Sequence, residues 1–151
     1  MQSALFLIQF ACQNIALCCC ALFAGAATYI SLVEHPTMIE GGTELTGTYI
    51  LTAQPRPAFF QTFFAVVGSL AGITAGVTGT AVWWLAGGLV LGIAAFFHLA
   101  VVMPETRRLV ASATSGDAKE SGSVSIKRLT ILHAVQSLAG LAALFMFIIR
   151  G

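Results

Sequence analysis

Charged side chains are scarce in this chain of 151 residues. Lysine, arginine, aspartate and glutamate make up 9% of it, against about 25% in an average soluble domain. No charged residue and no histidine occurs from Met1 to Val33, and about 20 apolar residues are enough to cross the hydrocarbon core of a bilayer. The net charge of +1 provides no basic surface for nucleic acid. The scarcity of charged residues predicts an integral membrane protein that contacts the lipid bilayer.

Spaced cysteine pairs are also missing. The first apolar segment contains all four cysteines, without a C-x-x-C motif: Cys12, Cys18, Cys19 and Cys20. Thiol exchange and structural zinc sites both need spaced thiols, so the cysteines are interpreted as packing or lipid-facing residues. The N-terminus lacks the positive region of a signal peptide, which predicts that the first segment stays as a membrane span.

The apolar segments predict an all-α fold, an integral membrane four-helix bundle forming a single domain over residues 1–151. The predicted spans are approximately 12–33, 57–80, 82–103 and 127–149. The first is expected to end at His35-Pro36, because the residue before a proline disfavours helix. A tight turn near Gly79 predicts an antiparallel hairpin of spans two and three, and the polar segment 105–126 is predicted to be a flexible surface loop.

Small and aromatic residues add detail to the spans. Glycine recurs every four residues at Gly68, Gly72, Gly76, and at Gly88 and Gly92. This spacing lets helices approach closely in lipid and predicts a compact bundle, although it serves contacts within a chain and in a homo-oligomer alike. The adjacent tryptophans at the start of the third span, at positions 83 and 84, are expected at the membrane interface.

Cations are distributed unevenly between the two sides of the predicted bundle. Only Arg150 falls on the side of the termini, and the other cations fall on the side of loops one and three: Arg56, Arg107, Arg108, Lys119, Lys127 and Arg128. The positive-inside rule then predicts a multi-pass protein with loops one and three in the cytoplasm and both termini outside.

All three histidines are predicted to lie near that cytoplasmic face. His35 ends the first span, while His98 and His133 each lie about 8 Å inside the membrane, at 1.5 Å per residue. Gln61 lies about one turn into the second span, and Gln136 shares a helix face with His133. Polar groups in lipid normally point into the bundle, so these side chains are expected to line one cavity.

Two chemistries suit such a cavity. A neutral histidine can remove a proton near neutral pH, and a nearby arginine can stabilise the resulting anion. Alternatively, the three histidines with Glu34 or Glu105 could bind iron, copper or zinc, or His98 and His133 a haem. A metal would need ligands from three helices, so cofactor-free chemistry is ranked first. A plain structural interpretation also exists, in which each histidine bonds a neighbouring helix and the arginines are interfacial anchors.

Three stretches carry a resemblance to a known family. They are LFAGAATYISLVEHP (Leu22 to Pro36), VVMPETRRL (Val101 to Leu109) and LHAVQSLAGLAA (Leu132 to Ala143). In this order they resemble the four-span membrane family that includes the fungal anthrone oxygenases. The chain differs from the usual pattern of that family at Glu105-Thr106, where Thr-Asn is common.

The resemblance implies a small membrane bundle that, in characterised relatives, oxidises an anthrone to an anthraquinone with O₂ and no dedicated cofactor. It implies that a base removes an acidic ring C–H proton before the carbanion attacks O₂. On this analogy the catalytic residues are His35, His133 and Arg107, with Glu34 orienting His35. The predicted substrate-binding residues are Gln61, Gln136, Arg108 and Glu105.

The leading hypothesis is therefore an anthrone oxygenase-like membrane enzyme acting on a hydrophobic aromatic or quinone-type small molecule. Two alternatives stay open. One is a structural or accessory subunit of a larger membrane complex, which the 11 phenylalanines would suit by packing on partner helices. The other is a metal-binding or haem-binding membrane protein that uses His35, His98 and His133.

Overall fold

The computed structural model describes residues 2–40, 55–79, 81–114 and 118–149, apart from the side chains of 55–57, 109–110 and 112–125. Nearly all of these residues are helical. The α-helices with described bounds are α1 (Gln2–Tyr29), α2 (Pro55–Thr78), α3 (Val82–Phe97), α4 (Met103–Thr114) and α5 (Ala118–Ile149), and residues 35–40 are α-helical as well. Two π-helical turns, Ile30–Glu34 and His98–Val102, extend α1 and join α3 to α4.

Four helical stretches are long and apolar enough to cross a membrane. They are Gln2–Glu40, Ala58–Thr78, Val82–Arg108 and Ile126–Ile149, and they are called the first to fourth rods below. The prediction of four apolar helices is confirmed, and the first and third rods are longer than predicted. The predicted first loop beyond residue 40 lies outside the described residues as far as residue 54.

The rods close into a four-helix bundle in which each packs on two neighbours. α1 contacts α2 and α5, and α3 contacts the same two helices. The predicted turn near Gly79 is confirmed, because α2 ends at Thr78 and α3 begins at Val82. The main apolar core fills the half of the bundle nearest that turn, and its largest members are Phe23, Trp84, Leu91 and Phe147.

Glycine allows α2 and α3 to approach closely. A methyl group added at Gly88 would lie 2.6 Å from the backbone nitrogen of Ile73, and one added at Gly76 would lie 2.5 Å from that of Leu85. Both distances are too short for a real carbon contact. The predicted close packing at these glycines is therefore confirmed, and this glycine stripe is used within the chain.

The prediction that the first helix ends at His35-Pro36 is wrong, since the helix continues to residue 40. Proline lacks an N–H and crowds the carbonyl four residues earlier. Directly before Pro36, the N–H of His35 bonds the carbonyl of Ile30, five residues back. Because of this π-type hydrogen bond, the helix is already wider than an α-helix at the position of Pro36. The third rod repeats this arrangement. Directly before Pro104, the N–H of Met103 bonds the carbonyl of His98, five residues back.

One further prediction is corrected. The expected surface loop over 105–126 is helical in its described parts, because α4 reaches Thr114 and α5 begins at Ala118. This segment is polar because α4 and α5 extend beyond the apolar stretches of the third and fourth rods. The interfacial position of Trp83 and Trp84 stays a prediction. Trp84 is buried in the bundle and stacks on Phe147 at 5.0 Å. Successive helical residues point about 100° apart, so only its neighbour Trp83 is exposed.

Candidate functional site

The three imidazoles meet in the half of the bundle opposite the α2–α3 turn. The ring centroid of His133 lies 5.0 Å from that of His35 and 6.4 Å from that of His98. The three residues are between 0% and 4% exposed. They come from the first, third and fourth rods, so only the packed bundle brings them together. The predicted convergence of the histidines is confirmed.

Both π turns lie at this cluster. His98 is the first residue of one turn, and His35 directly follows the other. A π turn inserts an extra residue into a helix, and such turns are frequent at functional sites. Sequence periodicity assumes regular α-helix and therefore missed them. The local signal in the sequence is a proline at the second position after each turn, Pro36 after Glu34 and Pro104 after Val102.

Two glutamines complete the cluster. Gln136 accepts a hydrogen bond from Nδ1 of His98 through its Oε1 atom, at 3.2 Å. Gln61 lies one helical turn from Ala58, whose backbone lies against the His98 ring. Each glutamine is 1% exposed. All four rods therefore contribute a buried polar side chain. Of the two predicted substrate-binding glutamines, Gln136 bonds an imidazole directly, and Gln61 is connected to the cluster through the neighbouring Ala58.

Eight buried polar atoms have no hydrogen-bond partner among the described residues. They are Oγ1 of Thr28, both ring nitrogens of His35, both amide atoms of Gln61, Nε2 of His98, Nδ1 of His133 and Nε2 of Gln136. Buried polar atoms in proteins are normally satisfied. Seven of these eight atoms belong to the three histidines and the two glutamines, so these side chains have unused capacity for hydrogen bonding.

A pair of serine hydroxyls fixes the register of the first rod against the fourth. Oγ of Ser31 and Oγ of Ser137 lie 2.9 Å apart, and each also lies 2.9 Å from a carbonyl oxygen of its own helix, those of Ala27 and His133. Each hydroxyl has a single proton, so one serine donates to the other serine while the second donates to the carbonyl of its own helix. Each serine lies four residues, or about one helical turn, from a site histidine. The pair therefore holds His35 beside His133, a role that the sequence did not assign to these serines.

The predicted charged residues are not brought to the imidazoles. Arg107 is exposed, and its guanidinium contacts the sulfur of Met103 at 3.7 Å. Glu34 is half-buried and makes no hydrogen bond to His35, whose two ring nitrogens both lack a partner in the described residues. The anion-stabilising role of Arg107 and the orienting role of Glu34 stay predictions without a supporting contact.

Glu105 forms an ion-pair bridge at the end of the bundle. One carboxylate oxygen lies 3.6 Å from Arg108 and the other lies 3.7 Å from Arg128. The Glu105 side chain is 12% exposed, while both arginines are largely exposed. The bridge therefore ties α4 to α5, and the predicted roles of Glu105 and Arg108 in substrate binding stay predictions.

We expect Glu105→Gln to lower the free energy of unfolding by less than about 1 kcal/mol, because ion pairs with exposed arginines are weak. Chemical unfolding of the purified protein in detergent measures the change, which should shrink at high salt. Glu34→Gln is the matched control and should have no effect. A loss of several kcal/mol for Glu105→Gln would contradict the assignment of a weak surface bridge.

Metal binding has no preformed ligand set in the described part of the chain. No group of three or more His, Cys, Asp or Glu side chains there has a geometry that would hold a metal ion. Binding of iron, copper, zinc or haem by His35, His98 and His133 stays a prediction. The arrangement itself provides imidazoles and amides for hydrogen bonding and proton transfer.

No protein-family model, no curated protein and no solved structure matches this chain. The resemblance to the family that includes the anthrone oxygenases therefore rests on the three sequence stretches alone. The function has to be argued from the chemistry of the cluster.

Proposed function

We propose that the protein is a multi-pass membrane enzyme of the anthrone oxygenase type. It uses a buried histidine as the base for oxidising a hydrophobic aromatic or quinone-type molecule with O₂, without a bound cofactor. The observation that carries the proposal is the meeting of three buried imidazoles, 5.0 Å and 6.4 Å apart, on apolar helices. A neutral imidazole is the protein group best suited to proton transfer near neutral pH.

His133 is the proposed base because its ring lies between the other two and its Nδ1 atom has no partner in the described residues. It removes a proton from a CH₂ group activated by a ring ketone, leaving an enolate. The enolate carbon forms a bond to O₂, and return of a proton gives a hydroperoxide. Loss of water converts the original CH₂ into C=O, so one oxygen atom enters the product and the other leaves as water.

The developing negative charge needs hydrogen-bond donors, and the buried amides supply them. Nε2 of Gln61 and Nε2 of Gln136 are buried without a partner in the described residues. Preorganised donors in a water-poor site stabilise an oxyanion strongly. We therefore transfer the anion-stabilising role first assigned to Arg107 to these two amides.

Oxygen consumption tests the proposal. Purified protein in lipid nanodiscs is supplied with anthrone, and O₂ uptake is recorded together with the absorbance of the quinone product. We expect one O₂ consumed for each anthrone converted, above the rate with empty nanodiscs. A rate equal to the empty-nanodisc rate would contradict the proposal, and activity lost with a chelator and restored by one metal would favour the metal-binding alternative.

A second candidate is an accessory subunit of a larger membrane complex or a homo-oligomer. The observation that favours it is a set of exposed rings on α2, at Phe59, Phe60 and Phe63. Phe59 contacts Phe60, and both Phe60 and Phe63 contact the ring of Phe64. Purification from native membranes separates the candidates. A stoichiometric partner would favour this second candidate, and a protein that purifies alone would count against it.

The proposed orientation places loops one and three in the cytoplasm. Its described support is four cations at the end of the bundle that holds the imidazoles: Arg107, Arg108, Lys127 and Arg128. In a background without the native cysteines, Arg107→Cys should react with a membrane-impermeant maleimide in inverted vesicles and not in intact cells. Gln2→Cys, at the opposite end, should show the reverse pattern. The opposite labelling of both variants would contradict the orientation.

A further inference from the structure

Gln61 carries a complete side-chain amide without a partner inside the bundle. The residue is 1% exposed, and neither Oε1 nor Nε2 has a hydrogen-bond partner among the described residues. An unpaired buried amide destabilises a folded protein, so its presence in the core needs a function. We propose that Gln61 is the specificity-determining residue of the site and hydrogen-bonds an uncharged aromatic ketone or phenol. This inference deepens the proposed function and rests on it.

The position of Gln61 places its amide at the imidazole cluster. Ala58, one turn earlier on α2, has its backbone against the His98 ring. Thr62, the next residue after Gln61, is only half-buried, and its hydroxyl bonds the Ala58 carbonyl of its own helix at 2.9 Å. The Thr62 hydroxyl thus has a hydrogen-bond partner on its own helix. The Gln61 amide has none among the described residues, and it is the buried polar group of this turn.

The charge of the cluster selects an uncharged ligand. Its described side chains are imidazoles and amides, while Arg107 contacts Met103 and Glu105 pairs with exposed arginines. A carboxylate or phosphate placed there would be paired only if an imidazole took up a proton, and burial of that ion pair would cost the desolvation of both charges. A neutral molecule avoids that penalty.

The unpartnered atoms also define the polar part of the ligand. Nε2 of Gln61 donates and Oε1 accepts, so a ketone satisfies the first atom and a phenol can satisfy either. A small buried apolar cluster lies in the same half of the bundle, formed by Val102, Ile126 and Leu129, and the proposal places the hydrocarbon part of the ligand next to it. An aromatic ring with one oxygen substituent combines both features.

Binding of matched three-ring probes tests the proposal without any reaction. The probes are 9-fluorenone, fluorene, which lacks the oxygen, and 9-fluorenone-2-carboxylate, which is charged. Retention on protein-containing nanodiscs is measured under nitrogen, and retention on empty nanodiscs is subtracted. We expect fluorenone to bind about tenfold or more tightly than either other probe, since one hydrogen bond to a buried polar group is worth roughly that factor.

Gln61→Met keeps the size of the side chain and removes the amide. We expect it to lose the preference for fluorenone over fluorene while raising the thermal unfolding midpoint of the empty protein by about 2–4 °C. A purely structural role for Gln61 would give the opposite change in that midpoint. Thr62→Val is the control on the same turn and should leave the preference for fluorenone unchanged.

Gln136→Met gives a contrasting result, because Oε1 of Gln136 already bonds His98. We expect this variant to unfold at a lower temperature, since it leaves the His98 ring without its acceptor. Equal binding of fluorenone and fluorene by the unaltered protein would overturn the inference even if no Gln61 variant folds. Unchanged selectivity in Gln61→Met would overturn it too, and would assign the amide to water. Binding is measured without O₂, so these outcomes are distinct from a failure of oxygen consumption.

Discussion

Replacing His133 with alanine is expected to lower the turnover number for O₂-dependent oxidation by about 10²–10⁴-fold, the usual contribution of a general base. The ring of His133 is the one that contacts both other imidazoles, and its Nδ1 atom is unpartnered in the described residues. O₂ uptake with anthrone in nanodiscs measures the loss. His35→Ala should also reduce activity, because His35 lies 5.0 Å from the base.

A matched control and a rescue separate catalysis from folding. Leu138→Ala changes an exposed position on the same helix and should retain full activity. Imidazole added to the His133→Ala protein should restore part of the rate if the lost group is a base, whereas a structural defect would not respond. Full activity in both His133→Ala and His35→Ala would remove the proposed base.

Gly88→Ala is expected to lower the free energy of unfolding by about 1–3 kcal/mol, the usual cost of overpacking. Alanine is the better helix former, but its methyl group would lie 2.6 Å from the Ile73 nitrogen and 2.9 Å from the Gly72 carbonyl carbon. Both atoms belong to the backbone of α2, so the overlap with the new methyl group is removed only if α2 and α3 move apart. Unfolding of the purified protein in increasing denaturing detergent measures the change.

Gly25→Ala is the control for the glycine prediction. A methyl group at Gly25 would meet nothing within 4 Å, so this variant should be neutral or stabilised by up to about 1 kcal/mol through helix propensity. If Gly88→Ala and Gly25→Ala lowered the free energy of unfolding equally, the close approach of α2 and α3 would not be the cause of the loss.

The number of rods and the meeting of the histidines could be predicted from the sequence, because both follow from the physics of apolar surroundings. Charge is excluded from long apolar segments, and the few polar groups on them turn towards each other. Residue counting at 1.5 Å per residue then placed His98 and His133 at one depth. The burial of Gln61 and Gln136 follows from the same rule.

The rotation of individual side chains about the helix axes could not be predicted. Glu34 was expected to orient His35, yet no hydrogen bond joins the two. Arg107 lies beyond a π turn and points out of the bundle. Such turns depend on how each rod packs on its neighbours, which a single sequence does not show. The expected helix end at Pro36 fails for the same reason, because the helix tolerates this proline only with the wider turn before it.

The extra residue in each π turn has a consequence for comparing sequences of this kind. A homologous chain that lacked the insertion would align with a one-residue gap inside an otherwise uninterrupted hydrophobic segment, near residues 30–34 or 98–102. Isolated single-codon gaps are rare within membrane helices, so such a gap would be a genetic marker of this site. Chains that retain both insertions would be the first to examine for the same chemistry.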